Sequence, residues 1–271
     1  MSSFRDSLCK NIALVCVVGM IWFATGCNTS PDAKKAKYLE AGKALMAKKS
    51  YERAALQFKN AVQVDPKDAE AHYQFALSLI ALNDWENATR QLLKATELNP
   101  KHAAAQLRLS ELMAGASDLT VVGDANQRLE ELFVSTPEDP DVLMNLAVTE
   151  WKLSKKDDAE KHLRQAFEKF PSRLDAAAGL ARLLMFQGDM KGAEETLKKS
   201  ATSHQPPSAN AIAALGAFYA SQNRLGEAEQ QFRRAIELDS KNGPAIHNLA
   251  DAGNGHAKLR CQSVCGESQR N

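Results

Sequence analysis

Apolar residues recur along most of this chain at spacings of three and four, which places them on one face of a helix. Ala54-x3-Phe58-x2-Ala61 is one such run, and Ile212-x2-Leu215-Gly216-x2-Tyr219 is another. Aromatic residues make up only 6% of the 271 residues, and alanine is abundant. Strands of a β-sandwich or barrel need more β-branched and aromatic residues, so the pattern predicts an all-α protein.

The helical pattern returns with a period of 34 residues. The run Ala54-x3-Phe58-x2-Ala61-x4-Pro66 recurs from Ala88, from Ala159 and from Ala228. A second helical stretch precedes each copy, so the repeating unit is a pair of helices. Proline closes most copies, and it ends a helix because it lacks an N–H. Small residues stand where two helices must approach closely, at positions 42, 54, 61, 76, 88, 95, 147, 159, 166, 181, 193, 216, 228 and 235.

These intervals of small and large residues resemble the tetratricopeptide repeat (TPR) family, whose unit is a helix–turn–helix of 34 residues. The resemblance implies a right-handed superhelical solenoid of about six repeats, and a non-repetitive helical bundle is the disfavoured alternative. The third repeat has 37 residues, which predicts a longer inter-helix loop or an extended second helix. The predicted repeats are 35–68, 69–102, 103–139, 140–173, 174–208 and 209–242.

Residues 243–271 read as an incomplete seventh repeat and an irregular tail. The helical pattern begins correctly at Gly243 and breaks near Asp251. His256, Cys261 and Cys265 lie in this tail. Three candidate ligands without a fourth are a weak metal signal, so we expect no metal site.

Residues 1–26 read as a signal peptide of the lipoprotein type. Arg5 and Lys10 precede an apolar run from Ile12 to Ala24, and small residues lead up to Cys27. The stretch Ala24-Thr-Gly-Cys27 resembles the lipobox of bacterial lipoproteins, which implies that Cys27 carries a lipid. An uncleaved single-span anchor remains the alternative. Residues 27–34 would then be the acylated cysteine and a short polar tether.

The lipoprotein resemblance also predicts a location. Asn28 follows Cys27, where an aspartate would oppose export to the outer membrane by the sorting rule of Gram-negative lipoproteins. We therefore expect a lipid-anchored protein of a Gram-negative-type cell envelope, on the outer membrane and facing the periplasm.

Charge and motifs exclude several functions. Lys plus Arg number 34 against 33 Asp plus Glu, so the chain lacks the positive excess of a nucleic-acid-binding protein. The sequence contains no His-Glu-x-x-His pair, phosphate loop or nucleophile elbow. We expect no catalytic residues, no cofactor and no enzyme activity.

In TPR proteins the first helices of the repeats line a concave groove. By this resemblance we predict a groove for a protein or peptide ligand. Its largely apolar lining could adapt to an amphipathic helix or an extended peptide. The alternative is that some of these side chains pack between repeats. The predicted partner-binding residues are Leu39, Lys43, Met46, Tyr73, Leu77, Ile80, Leu107, Met144, Val148, Trp151, Arg182 and Met185.

Some TPR domains hold the C-terminal carboxylate of a chaperone with a clamp of Lys, Asn, Asn, Lys and Arg. Of the matching positions here only Arg108 carries the expected residue, so this ligand is not predicted. The sequence instead indicates a membrane-anchored scaffold that binds a protein partner in the cell envelope. The alternatives are an accessory lipoprotein of exopolysaccharide export or surface-protein sorting, and a periplasmic factor that contacts glycan.

Overall fold

The computed structural model describes residues 30–203 and 205–251. In this part of the chain every regular element is a helix, and residues 243–251 are helical as well, so the all-α prediction is confirmed. No described helix has both the length and the apolar character needed to span a membrane. The helices with their bounds are α1 (Pro31–Ala47), α2 (Tyr51–Val64), α3 (Ala69–Ala81), α4 (Trp85–Leu98), α5 (Ala103–Ala114), α6 (Leu119–Ser135), α7 (Pro140–Lys152), α8 (Lys156–Lys169), α9 (Leu174–Gln187), α10 (Met190–Thr202), α11 (Ala209–Ser221) and α12 (Leu225–Leu238).

The helices form six consecutive pairs, α1 with α2 through α11 with α12. Short turns join the two members of each pair, so the members run antiparallel. The first helix begins at Pro31, four residues before the predicted start of the first repeat. In the third pair α6 has 17 residues, whereas the second helices of the other pairs have 13 or 14. The insertion in that repeat therefore lengthens its second helix.

Side chains that cap helix N-termini mark the start of many of the helices. Asp68, Asp118, Asp139 and Ser208 each accept a hydrogen bond from a backbone N–H in the first turn of the helix that follows. A free N–H at a helix start needs such a partner, so these residues fix where each helix begins.

The turn inside a pair has the same backbone conformation in five of the six pairs. One residue of this turn has a positive φ, between 56° and 87°. Glycine occupies this position once, and asparagine, which tolerates the left-handed region, twice. The residues are Lys49, Asn83, Ser154, Gly188 and Asn223.

Close helix crossings explain the small residues of the repeat. All fourteen small positions that the sequence singled out are buried. A Cβ added to Gly42 would lie 2.4 Å from Cε1 of Phe58, and one added to Gly216 would lie 2.7 Å from Cε1 of Phe232. Where glycine gives way to alanine at this position, leucine replaces the phenylalanine, as in the pairs Ala76/Leu92, Ala147/Leu163 and Ala181/Leu197. The combined volume of the two facing side chains at the helix crossing is therefore nearly constant from one repeat to the next.

The chain divides into two compact units between Ala105 and Gln106. In the first unit the fully buried Phe58 and Leu92 are the largest core side chains, with alanines around them. An ion pair ties α1 to the start of α3 there, since Lys35 Nζ lies 2.8 Å from Asp65 Oδ2 and 2.7 Å from Asp68 Oδ2. The hydrogen bond from Lys35 lowers the pKa of Asp65.

The second unit has a larger core, in which α7 to α12 contribute to one cluster of buried apolar side chains. A polar cluster at its surface links α10 to α11 and α12. Glu194 Oε2 accepts a hydrogen bond from Arg224 at 2.6 Å, and its Oε1 lies 2.6 Å from Lys198 Nζ. These two hydrogen bonds lower the pKa of Glu194 to about 2.

Candidate functional site

In the first unit, the predicted groove residues lie on the first helices α1 and α3. Leu39, Met46, Leu77 and Ile80 are half-buried, and so is Tyr73. The Tyr73 ring packs against the ring of His102 at 4.9 Å.

The charged groups of this surface are engaged with one another. Lys43 Nζ lies 3.9 Å from Glu70 Oε1, and His102 Nε2 lies 3.1 Å from Glu70 Oε2. Glu70 also accepts a hydrogen bond from Gln74. Because its charges are already paired, this surface offers a ligand mainly apolar contacts.

In the second unit, two of the predicted residues serve packing. Leu107 is half-buried and packs against the cluster formed by Leu129, Leu132, Val142 and Leu146. Met185 packs against the main core of the unit. These two follow the alternative interpretation, in which a side chain of a first helix packs within the repeats.

Four other predicted residues of this unit come together around one cavity of about 390 Å³ between α7 and α9. Met144, Val148 and Trp151 lie on α7, one or two turns apart, and Arg182 lies on α9. The side chains that line this cavity are mostly apolar. We call this cavity the Trp151 pocket, and its lining consists of Met144, Ala147, Val148, Trp151, Lys152, Leu163, Gly179, Arg182, Leu183 and Phe186.

An exposed aromatic pair forms one wall of the Trp151 pocket. The rings of Trp151 and Phe186 meet edge to face with their centroids 5.1 Å apart. Trp151 is 39% exposed and Phe186 is 63% exposed. The ammonium group of Lys156 lies 4.7 Å from the centroid of the Phe186 ring and 5.9 Å from that of Trp151. Two large aromatic side chains are thus held at the surface rather than in the core.

Sequence reasoning missed Phe186 and selected Met185 instead. Phe186 lies one turn after Arg182 on the same face of α9, whereas Met185 is rotated toward the core. The signal for Phe186 was its spacing of four from Arg182 and seven from Gly179, which places these three residues on one face of α9.

The charged side chains at the Trp151 pocket are basic. Arg182 makes no hydrogen bond or ion pair with any residue in 30–203 or 205–251. Lys152 Nζ donates to the carbonyl oxygens of Ala114 and Ala116, at 2.6 and 3.1 Å. None of the described residues that line the pocket is acidic.

The acidic residues of α7 and α9 are engaged elsewhere. Arg173 Nη1 lies 2.7 Å from Asp141 Oδ1, and its Nη2 lies 2.5 Å from Asp175 Oδ2. The hydrogen bond from Arg173 lowers the pKa of Asp175. Glu150 is buried, and its Oε2 accepts a hydrogen bond from His162 Nδ1 at 2.8 Å. No carboxylate on either helix is therefore left to neutralise Arg182.

The remaining predictions concern the chaperone clamp, metal binding and the two ends of the chain. Arg108, the matching residue of the chaperone clamp, pairs with Glu111 on its own helix. Among the described residues, no three His, Cys, Asp or Glu side chains are grouped so as to hold a metal ion. Cys27, the signal segment 1–26 and the tail cysteines Cys261 and Cys265 lie outside the described residues.

Comparison with known protein families identifies the repeat. Three tetratricopeptide repeat models match the chain: one at residues 42–79, one at 151–201, and one at both 73–121 and 180–243. Together the matches cover most of the helical region, in both compact units. The chain belongs to the tetratricopeptide repeat family. A search of curated proteins finds no significant match.

Solved structures agree on the fold. A TPR protein from Parabacteroides merdae is 16% identical, with a TM-score of 0.65 over 92% of this chain and 95% of that one. PilW, a type IV pilus biogenesis factor, is 16% identical, with a TM-score of 0.66 over 79% of this chain and 98% of that one. PilF from Pseudomonas aeruginosa is 17% identical, with a TM-score of 0.61 over 82% and 99%. At this identity the likeness is one of fold.

Proposed function

We propose that this TPR protein is a scaffold that binds a protein partner in the cell envelope through the first helices of its repeats. The observation that carries the proposal is the Trp151 pocket. Exposed large apolar side chains that cluster around a cavity are typical of a binding surface, because soluble proteins rarely expose a contiguous apolar patch without use. Aromatic residues are also the commonest anchors of protein interfaces.

The sequence around Cys27 supports the envelope part of the proposal. In this proposal the acylated cysteine holds the repeats at the outer membrane, on its periplasmic side. Several acyl chains on one residue give stable anchoring, whereas a single chain gives marginal binding. The partner then meets the protein in the periplasm or at the membrane surface.

The accessory roles in exopolysaccharide export or surface-protein sorting are specific forms of this proposal. A glycan ligand is a different hypothesis and would require aromatic faces along the groove. The Trp151 and Phe186 rings meet edge to face rather than forming one flat platform. We therefore propose a protein partner rather than a glycan.

Photo-crosslinking in intact cells tests this function. A photoreactive phenylalanine analogue replaces Val148, which is exposed in the Trp151 pocket, or Glu168, which is exposed on the second helix α8. We expect a discrete adduct with a partner protein from position 148 and no such adduct from position 168. The adduct should disappear when Trp151→Ala is added. Equal labelling from the two positions, or an adduct that persists with Trp151→Ala, would contradict binding at this surface.

A further inference from the structure

We infer that the Trp151 pocket binds a peptide segment in which an apolar side chain stands beside one or more carboxylates. This inference rests on the proposed function, since it assumes that the pocket is the partner-binding surface, and it adds the chemistry of the partner. It is carried by two features of the same cavity: an apolar wall with exposed aromatic rings and an arginine that the described chain leaves without a counter-ion.

The apolar wall of the pocket is the reason to expect an apolar side chain in the bound peptide. Met144, Val148, Trp151 and Phe186 surround a cavity of about 390 Å³ that opens to solvent. This space holds a large side chain of a partner. Burying such a side chain removes apolar surface of both partners from water, and aromatic rings add edge or face contacts. The flexible Met144 allows the wall to adjust to more than one side-chain shape.

The basic groups at the pocket are the reason to expect carboxylates in the bound peptide. Arg182 lies in the pocket lining, Lys152 lines it as well, and the ammonium of Lys156 sits over the aromatic pair. A guanidinium group beside an apolar surface can hold a carboxylate through two parallel hydrogen bonds. No acidic side chain lines the pocket to compete for it among the described residues. A basic segment would meet only like charges there.

The arrangement of the neighbouring acids strengthens this assignment. Asp141 and Asp175 are held by Arg173 at the beginnings of α7 and α9, and Glu150 is buried against His162. These acids are therefore directed away from Arg182. The whole chain has balanced charge, so the positive character of the pocket is local. A local positive field favours a partner segment that carries acidic residues next to the pocket. It does not attract polyanions in general, which would require a positive excess over a larger surface.

A peptide selection tests the inference. The full chain in detergent is the bait for a displayed library of short random peptides, and individual selected peptides are then measured by fluorescence anisotropy. We expect Asp or Glu next to Trp, Phe, Leu or Ile among the selected sequences. Replacing their acids by Lys should abolish binding, and added salt should weaken it.

Variants place the selected peptides on the pocket. Arg182→Gln should weaken acidic peptides about 10-fold, equivalent to about 1.4 kcal/mol. Arg233→Gln is the matched control, because this exposed arginine on α12 carries the same charge and pairs with Glu229, outside the Trp151 pocket. Arg182→Glu should reverse the preference and favour the Lys-substituted peptides. Circular dichroism checks that each variant keeps its helices.

The outcomes separate the inference from the proposed function. Peptides that lose binding with Trp151→Ala but show no preference for acids would overturn the inference and leave the groove as the binding surface. Acidic peptides that bind equally to the wild type, Arg182→Gln and Trp151→Ala would overturn it too, because they would bind elsewhere. Selection of no peptide at all would count against both the inference and the proposed function. A preference for phosphorylated over carboxylate peptides, measured with synthetic pairs, would also overturn it.

Discussion

The close contact between Gly42 and Phe58 allows the packing of α1 against α2 to be tested by the addition of a single carbon atom. Gly42→Ala would place a Cβ 2.4 Å from Cε1 and 2.7 Å from both Cδ1 and Cζ of the Phe58 ring. The ring is fully buried, and these distances are far shorter than van der Waals contact. One of the two helices, α1 or α2, must therefore shift.

Two opposing effects set the magnitude. Alanine within a helix is more stable than glycine by about 1 kcal/mol, because it restricts the unfolded chain. Overpacking a tight core costs about 1–3 kcal/mol. We therefore expect Gly42→Ala to lower the free energy of unfolding by up to about 2 kcal/mol, with the clash outweighing the helix propensity.

The second variant restores the volume. Phe58→Leu alone leaves a void and should also destabilise the chain. The double variant Gly42→Ala with Phe58→Leu recreates the pair that Ala76 and Leu92 form in the second repeat. We expect it to be more stable than the sum of the two single effects by at least about 0.5 kcal/mol.

Urea unfolding followed by circular dichroism measures the four proteins of this cycle, and amide exchange in α1 and α2 reports the local effect. The control is Gly123→Ala in α6, where an added Cβ meets nothing within 4 Å. This change should raise stability. If Gly42→Ala raised stability as much as Gly123→Ala does, the close contact and the volume argument would be wrong.

Three further predictions concern the anchor, the pocket and pH. Cys27→Ser should abolish incorporation of a radioactive fatty acid, and labelling that persists in the variant would refute the lipoprotein prediction. Trp151→Ala should weaken partner binding about 30-fold, the loss of about 2 kcal/mol typical of a central anchor. Its melting temperature should fall less than on truncation of a fully buried aromatic residue, because the side chain is 39% exposed; a large drop in melting temperature with normal binding would mean that Trp151 only stabilises the stack. Glu194→Gln should cost about 1 kcal/mol at neutral pH, because the folded state holds the pKa of Glu194 near 2, below its ordinary 4.5. This stabilisation is complete above pH 4.5 and is lost as the pH falls toward 2, so the two unfolding midpoints should converge there. Glu195→Gln, a substitution of the exposed neighbour, is the control; a difference that stayed constant down to pH 2 would contradict the assignment.

Local patterns in the sequence were sufficient to predict the helix pairs. A small residue such as Ala88 at a helix crossing is required by local geometry, so it recurs at a fixed interval and can be recognised without a structure. The apolar faces of α7 and α9 follow from the same periodicity. Met144, Val148, Trp151 and Arg182 were predicted as groove residues and do share one pocket.

The features that define the candidate site depend on contacts across repeats, which periodicity does not encode. Phe186 differs from Met185 by one position, and a rotation of about 100° per residue decides which of them faces the core. The isolation of Arg182 depends on Arg173 engaging the acids of two different helices. The engagement of these acids cannot be obtained from the spacing of residues along one helix, whereas the spacing of Phe186 from Arg182 could have identified Phe186.

The left-handed turn residue has a consequence for engineering this chain. Each turn lies between the two helices of one pair, and the turns at Lys49 and Ser154 hold non-glycine residues in a region that costs about 1 kcal/mol or more. They lie in different compact units, so relief of strain at one site should add to relief at the other. Glycine at these two positions would offer a route to a more robust array that leaves every side chain of the Trp151 pocket in place. The repeat thus separates the positions where stability can be adjusted from the positions that we propose contact a partner.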